Sequence, residues 1–311
     1  YALTSQGREM AAEALVQSHY IGPAPVSLEA YQAQIQKQAI AGEQVGEAQI
    51  AECLSGLVVG ENFAHQIGPA VNAARAMLFY GAAGNGKTSV ATRIASIFSD
   101  LIYVPYCVEV DGKIIVIHDA SVHVPVETAD LETALPDASK GLRRDEIDQR
   151  WAACRRPTVL VGGELTLDML DLAYSEVSRF YEAPVQIKAL NGTLIIDDFG
   201  RQIVGPERLL NRWIVPMESG VDSFKLKTGR TISIPFDVLL IFATNLEPSD
   251  LIDPAFLRRI PYKIELFGPT IEEYRQVFSQ VAADQGLELA DDMLDFVIEQ
   301  MAAHDSIDLV D

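Results

Sequence analysis

The sequence predicts an α/β fold, a parallel central sheet sandwiched between helices, and three observations predict it. The run Met77-Leu78-Phe79-Tyr80 is apolar on both faces and passes through a glycine-rich turn into a helical pattern, Ser89 to Phe98. Two later runs, Leu194-Ile195-Ile196 and Val238 to Ala243, are equally apolar and each stops at polar residues, Asp197-Asp198 and Thr244-Asn245. Strands buried on both faces read this way in parallel sheets, and the carboxyl ends of such strands line the crevice where ligands bind.

The turn is Gly81-Ala82-Ala83-Gly84-Asn85-Gly86-Lys87-Thr88. It matches G-x-x-x-x-G-K-[ST] with a strand before it and a helix after, the context a phosphate-binding loop requires. Glycines let backbone N–H groups close on a polyphosphate, and the helix N-terminus adds partial positive charge. Lys87 would reach the β- and γ-phosphates, and Thr88 would ligate Mg²⁺ through its hydroxyl. At the end of the Leu194–Ile196 run, Asp197 would bind the same Mg²⁺ and Asp198 would polarise an attacking water. The Asn245 amide is placed to orient that water against the γ-phosphate.

The 311 residues suggest about two domains. With 49% hydrophobic residues the chain can bury a sizeable core, and no window of about 18 apolar residues predicts a membrane span. The start lacks a signal-peptide pattern, and Tyr1 in place of Met predicts that residues precede it. A net charge of −20 argues against a broad nucleic-acid surface and suits a cytoplasmic protein. Cys53, Cys107 and Cys154 are scattered, without a C-x-x-C pair, so buried thiols in a reducing compartment are expected rather than disulfides or zinc.

Along the chain, residues 1–52 read as a small helical module. It has one helix over Glu9–Tyr20 and a second, N-capped by Ser27, running to about Ile40. Val58-Val59-Gly60 and Ile67-Gly68-Pro69-Ala70 form an apolar lead-in to the loop. Leu101–Tyr106 and Lys113–Ile117 read as a hairpin turned at Asp111-Gly112. Residues 125–157 read as a polar insertion whose basic spots, Arg143-Arg144 and Arg155-Arg156, are expected on a solvated face. Thr166–Tyr174 and Glu207–Glu218 read as helices, residues 221–234 as a hairpin with Lys225, Lys227 and Arg230 at its tip, and Asp253–Arg259 as a short helix. Helical patterns follow over Ile271–Ala283 and Ala290–Ala303. No repeat of about 20–50 residues is evident.

The ordered set of loop (81–88), Asp-Asp strand (194–198), Ala-Thr-Asn strand end (243–245) and Asp-Pro-Ala-Phe-Leu-Arg-Arg (253–259) resembles an AAA+ ATPase over residues 55–311. Ala183–Leu194 and the 221–234 hairpin resemble the enhancer-binding-activator, magnesium-chelatase and MoxR-type rings. The resemblance implies a P-loop αβα domain over 53–268, with an insertion at about 101–185, and a helical lid over 269–311. It implies ATP and Mg²⁺ as ligands, with Gly81, Gly84, Asn85, Gly86, Lys87, Thr88 and Ser89 around the phosphates, and Thr88 and Asp197 on the metal. Asn245 matches the γ-phosphate sensor. Arg259, with Arg258 second, matches the arginine that reaches a neighbouring copy's ATP in a homo-oligomeric ring, usually a hexamer. The expected role is a remodelling motor, or chaperone, acting on a protein client. A nucleic-acid motor or loader, and an assembly switch with slow hydrolysis, are the alternatives. Two features depart from the family. Asp198 stands where Glu is usual, and the sequence from 270 to 311 has no arginine placed as a second sensor, Arg275 lying too early.

Overall fold

The computed structural model describes residues 4–57, 63–126, 148–251, 257–287, 293–297 and 300. Its first part holds α1 (Ser5–Gln17), β1 (Val26–Ser27), α2 (Leu28–Lys37), α3 (Glu47–Cys53), α4 (Phe63–Asn72), β2 (Met77–Tyr80) and α5 (Lys87–Ala95). Then come β3 (Leu101–Pro105), β4 (Cys107–Val110), β5 (Lys113–Val116), β6 (Trp151–Arg155), β7 (Thr158–Val161), β8 (Ala173–Ser175), β9 (Phe180–Glu182), α6 (Val185–Lys188) and β10 (Gly192–Ile196). The last part holds α7 (Pro206–Ser219), β11 (Val221–Lys225), β12 (Thr231–Pro235), β13 (Val238–Ala243), α8 (Pro248–Leu251), β14 (Tyr262–Glu265) and α9 (Ile271–Asp284).

The central sheet has the order β14-β2-β13-β10-β7, and every pairing in it is parallel. Strict alternation along its strands sends side chains to two separate cores. Leu78, Leu194, Ile196, Leu240 and Phe242 join Leu209 and Trp213 of α7 on one face. Met77, Phe79, Ile195, Leu239, Ile241 and Ile264 join Val90, Ala91 and Ile94 of α5 and Phe63 and Ile67 of α4 on the other. That double burial explains why these runs are apolar throughout, and it makes the expected αβα sandwich. The sheet order puts β13 between the strand that feeds the loop and the strand that ends in Asp197, so the carboxyl ends of three strands meet at one edge.

A second sheet, β1-β4-β5-β9-β8, packs against the first core through Val26, Val108, Val110, Ile115 and Tyr181. Tyr31 and Ile35 of α2 lie in that core, and β1 pairs in parallel with β4. The Ser27 hydroxyl accepts the Ala30 N–H at 3.2 Å, capping α2 as expected. The first helix starts earlier and stops sooner than its periodicity suggests. The Thr4 hydroxyl accepts the Gly7 N–H, and beyond Gln17 the His19 N–H is drawn to the Ser178 carbonyl at 2.9 Å.

Three expectations are corrected. Asp111-Gly112 does turn a hairpin, with φ of 51° and 73°, but it joins β4 to β5. The Leu101–Pro105 strand pairs antiparallel with Trp151–Arg155 instead. Thr166–Tyr174 is not an α-helix; a single 3₁₀ turn, Asp168–Leu170, forms within it. The Leu170 carbonyl is taken by Gln186 Nε2 at 2.7 Å and Arg212 Nη2 at 3.1 Å, and Ala173–Ser175 is recruited as an edge strand against β9. Arg156 is not on a solvated face. Its side chain is 4% exposed, and Nη1 donates to the carbonyls of Gln38 and Asn191, both at 2.8 Å. Arg155 is exposed.

The helix over 207–218 and the 221–234 hairpin form as expected, and Ile271–Asp284 is helical with a capping box between Thr270 and Glu273. Of the Ala290–Ala303 pattern, 293–297 and 300 are described, and they are helical. Val58–Gly60, Arg143-Arg144 and Asp253–Phe256 fall outside the described residues. Cys53, Cys107 and Cys154 are free thiols, Cys107 and Cys154 buried. No helix of the described residues is long and apolar enough to cross a membrane.

Candidate nucleotide site

The site begins where β2 runs out. Tyr80 hands the chain to Gly81, whose φ of 135° is open to glycine and strained for any L side chain. Gly86, at φ 74°, is the N-cap of α5, and open space lies where its Cβ would be. The loop thus offers bare backbone at the head of a helix, the arrangement that binds phosphate. Gly84 also has a positive φ and is exposed, as are Gly86 and Ser89.

Lys87 is 7% exposed, and its Nζ folds back onto the loop, donating to the carbonyls of Gly81 at 3.0 Å and Ala82 at 2.6 Å. Burial pushes its amine below the usual lysine value, while the charges of Asp197 and Asp198 pull the other way. Thr88 Oγ1 donates to Asp197 Oδ2 at 2.9 Å, so the loop's hydroxyl and the first acid of β10 are in direct contact.

Asp197 is fixed from behind. Its N–H donates to the Val161 carbonyl at 2.8 Å, continuing the β10–β7 ladder, and Gln202 Nε2 donates to its carbonyl at 3.0 Å. Asp198 turns out of the strand with φ 49°, a left-handed conformation that Asp tolerates better than most side chains. Its N–H donates to Asp197 Oδ1 at 3.0 Å, and Asn245 Nδ2 donates to its Oδ1 at 3.3 Å. One hydrogen-bonded chain therefore runs Thr88, Asp197, Asp198, Asn245, with Lys87 alongside.

Two residues that sequence reasoning passed over hold this turn. The Thr244 hydroxyl, on a residue 1% exposed, donates to the Phe199 carbonyl at 2.7 Å and accepts the Leu246 N–H at 3.1 Å. Gln202 braces the turn from within, accepting the Gly200 N–H and donating to the carbonyls of Asp197 and Asp198. Thr244 was readable only as a strand end, and Gln202 carries no motif.

Asn85 sits within the loop, but its amide donates to the Leu266 carbonyl at 2.8 Å. Arg258 is exposed, and Arg259 Nε donates to Glu218 Oε1 at 2.7 Å. That ion pair joins the residues before β14 to the last turn of α7, outside the chain from Thr88 to Asn245.

The donor set fits a magnesium nucleotide. A hydroxyl and a carboxylate in contact are hard oxygen ligands, and Mg²⁺ is held through one or two carboxylates plus phosphate oxygens and water. The fold and this loop define a parallel αβα sandwich with a glycine-rich loop of the phosphate-binding pattern between β2 and α5. No family model and no curated protein matches the chain. Among solved structures, a complex of subunits BchI and BchD of magnesium chelatase is similar over 86% of this chain and 68% of that one, at 18% identity and a TM-score of 0.43. NtrX from Brucella abortus is similar over 94% of this chain and 50% of its own, at 11% identity and a TM-score of 0.41. NtrX in complex with ADP is similar over 93% and 48%, at 11% identity and a TM-score of 0.39. The chain spans about half the length of the NtrX chains it matches.

Proposed function

We propose that this protein binds ATP with Mg²⁺ at the Gly81–Thr88 loop and hydrolyses it, in a ring whose sites are shared between neighbouring copies. The observation that carries the reading is the 2.9 Å contact of Thr88 Oγ1 with Asp197 Oδ2, which joins the phosphate loop to the acid strand. Thr88 and Asp197 would hold the Mg²⁺, which would supply charge neutralisation on the phosphate oxygens. Lys87, released from the Gly81 and Ala82 carbonyls, pairs with the β- and γ-phosphates. Asp198 accepts the proton of the attacking water, and Asn245, bonded to Asp198, holds that water in line. Arg259 of a neighbouring copy stabilises the transition-state charge, a role worth about 10³–10⁵ in rate in phosphoryl-transfer enzymes; Arg258 is the second candidate.

The work done is remodelling of a protein client rather than transport along nucleic acid. The hairpin tip supports this choice. Lys227 pairs with Glu176 and Arg230 with Asp111, so two of its three cations are neutralised within the chain, whose net charge is −20.

A mixing experiment tests the shared site. Asp198→Asn and Arg259→Ala, each alone, are expected to bind ATP and to turn it over poorly. Mixed, they place an intact loop against an intact arginine at some interfaces, and activity is expected to recover. If the mixture stays as inactive as its components while both variants assemble, the arginine does not act in trans. Loss of ATP binding in Arg259→Ala would place the arginine in its own site.

A further inference from the structure

We propose that Asn85 is a positioning residue that couples the phosphate loop to the helix after the central sheet, α9, through the carbonyl of Leu266. The proposal rests on the reading of the loop as an ATP site and adds a route by which occupancy of that site reaches the lid.

Three contacts converge on the Leu266 peptide. Its carbonyl accepts the Asn85 amide at 2.8 Å. Its N–H donates to the Tyr80 carbonyl at 2.8 Å, one step beyond the last β14–β2 pair, Glu265 with Tyr80. Its carbonyl also presses on the first residue of the loop, since a Cβ at Gly81 would stand 2.2 Å from that oxygen. A fourth contact, Tyr80 Oη to Glu265 Oε2 at 3.4 Å, braces the same junction. The glycine at 81 is therefore needed for a close backbone approach as well as for its φ, and the loop meets Leu266 both at Gly81 and at Asn85.

Leu266 is itself anchored. It is 7% exposed and packs in the core that holds Phe79 of β2 and Ile94 of α5. Beyond it the chain reaches α9 by a short path, and the helix start is fixed by the Thr270 hydroxyl and the Glu273 carboxylate. A displacement at Leu266 is thus passed to α9 with little slack.

The chemistry of Asn85 suits a tie better than a ligand. Its amide nitrogen is a donor aimed at a carbonyl, away from the loop's own backbone N–H groups, which remain to receive phosphate oxygens. Drawing those N–H groups around a triphosphate moves the Asn85 backbone, and the Asn85–Leu266 bond then either carries the linker with it or breaks. A neutral hydrogen bond of this kind corresponds to a coupling of about 2- to 12-fold between the two positions.

The test is hydrogen–deuterium exchange on the full chain with Mg²⁺ and a non-hydrolysable ATP analogue, reading peptides over 81–95 and over 262–284. In the wild type, the analogue is expected to slow exchange in both regions. In Asn85→Ala, and in Asn85→Ser whose hydroxyl is too short to span to Leu266, the loop peptides should still respond while the 262–284 response is lost. A merely structural role for Asn85 would raise exchange in both regions without separating their responses. The coupling is overturned if the 262–284 peptides of both variants respond as in the wild type, or if those of the wild type do not respond at all. Failure of the wild-type loop peptides to respond overturns the nucleotide site itself, and the coupling with it.

Discussion

Arg156→Ala should destabilise the protein strongly while leaving its chemistry intact. The guanidinium is enclosed where three parts of the chain meet: the 38–43 segment, the β6–β7 junction and the amino end of β10. Nη1 satisfies the carbonyls of Gln38 and Asn191, both at 2.8 Å, and Nη2 pairs with Glu43. Nearby, the Asp237 carboxyl is pushed up by burial and drawn back by the Ile40 N–H, the Asn191 amide and the Arg156 charge. Truncation leaves two carbonyls without their donor and Glu43, 22% exposed, without its counter-ion. Removing one partner of a buried pair costs about 3–5 kcal/mol, and Glu43's partial access to water sets the expectation near the lower end, about 3 kcal/mol. At about 2–4 °C per kcal/mol, thermal unfolding followed by circular dichroism should fall by roughly 6–12 °C. Arg156→Lys should recover only part of that loss, because a compact ammonium lacks the planar fork that sets Nη1 on the two carbonyls and Nη2 on Glu43 at once. This cluster lies at the amino ends of the sheet strands, opposite the loop, so ATP turnover well below the unfolding temperature should be unchanged. A shift below about 2 °C, the equivalent of less than 1 kcal/mol, would show that the buried guanidinium does not hold these segments together.

The remaining predictions concern the site and its supports. His123 is 1% exposed; its Nδ1 accepts the Asp119 N–H at 2.9 Å and its Nε2 faces the Lys188 carbonyl at 2.9 Å, so it is satisfied only when neutral. Burial, with His118 adding, lowers its pKa from 6.5 to about 4, so its contribution to stability is complete above pH 6.5 and is lost as pH falls toward about 4. That contribution amounts to at most about 3 kcal/mol. Denaturant unfolding across that range should be less pH-dependent in His123→Asn, and an unaltered slope would contradict this. Asp198→Glu should slow hydrolysis, since a longer side chain at φ 49° is placed in a strained region costing about 1–3 kcal/mol; a faster single-turnover rate would contradict it. Thr244→Val keeps the shape but leaves the Phe199 carbonyl without its donor, a loss of about 1–3 kcal/mol. Turnover should drop with KM unchanged, and a variant with wild-type kcat would show that the turn does not need this bond.

What was legible in the sequence is what local pattern or a short motif specifies. The loop, the two apolar strands ending in polar residues and the hairpin at 221–234 each carry their signal within a dozen residues. The Asp111-Gly112 turn was legible too, but not which strands it joins, because the choice between Leu101–Pro105 and Cys107–Val110 as partner is made by Trp151–Arg155, far along the chain. The second sheet was hidden for the same reason. Its strands are short, and parallel pairs such as β1 with β4 and β5 with β9 join distant segments. Arg156 read as surface charge because its acceptors, the carbonyls of Gln38 and Asn191, have no side-chain signature. At the site, Lys87, Thr88, Asp197, Asp198 and Asn245 do converge, while the tertiary role of Asn85 and the bracing by Gln202 and Thr244 emerged only once β13, β10 and the Leu266 linker were set side by side.

Equilibrium binding of ATP in the presence of Mg²⁺, compared between the wild type and Lys87→Ala, shows whether the Gly81–Thr88 loop is a nucleotide site. Saturable binding by the wild type is expected to be abolished, or weakened by at least about tenfold, in the variant, a loss of about 1.4 kcal/mol or more from one charged contact to phosphate. Equal binding by the two proteins, or a wild type that does not bind ATP, would contradict it.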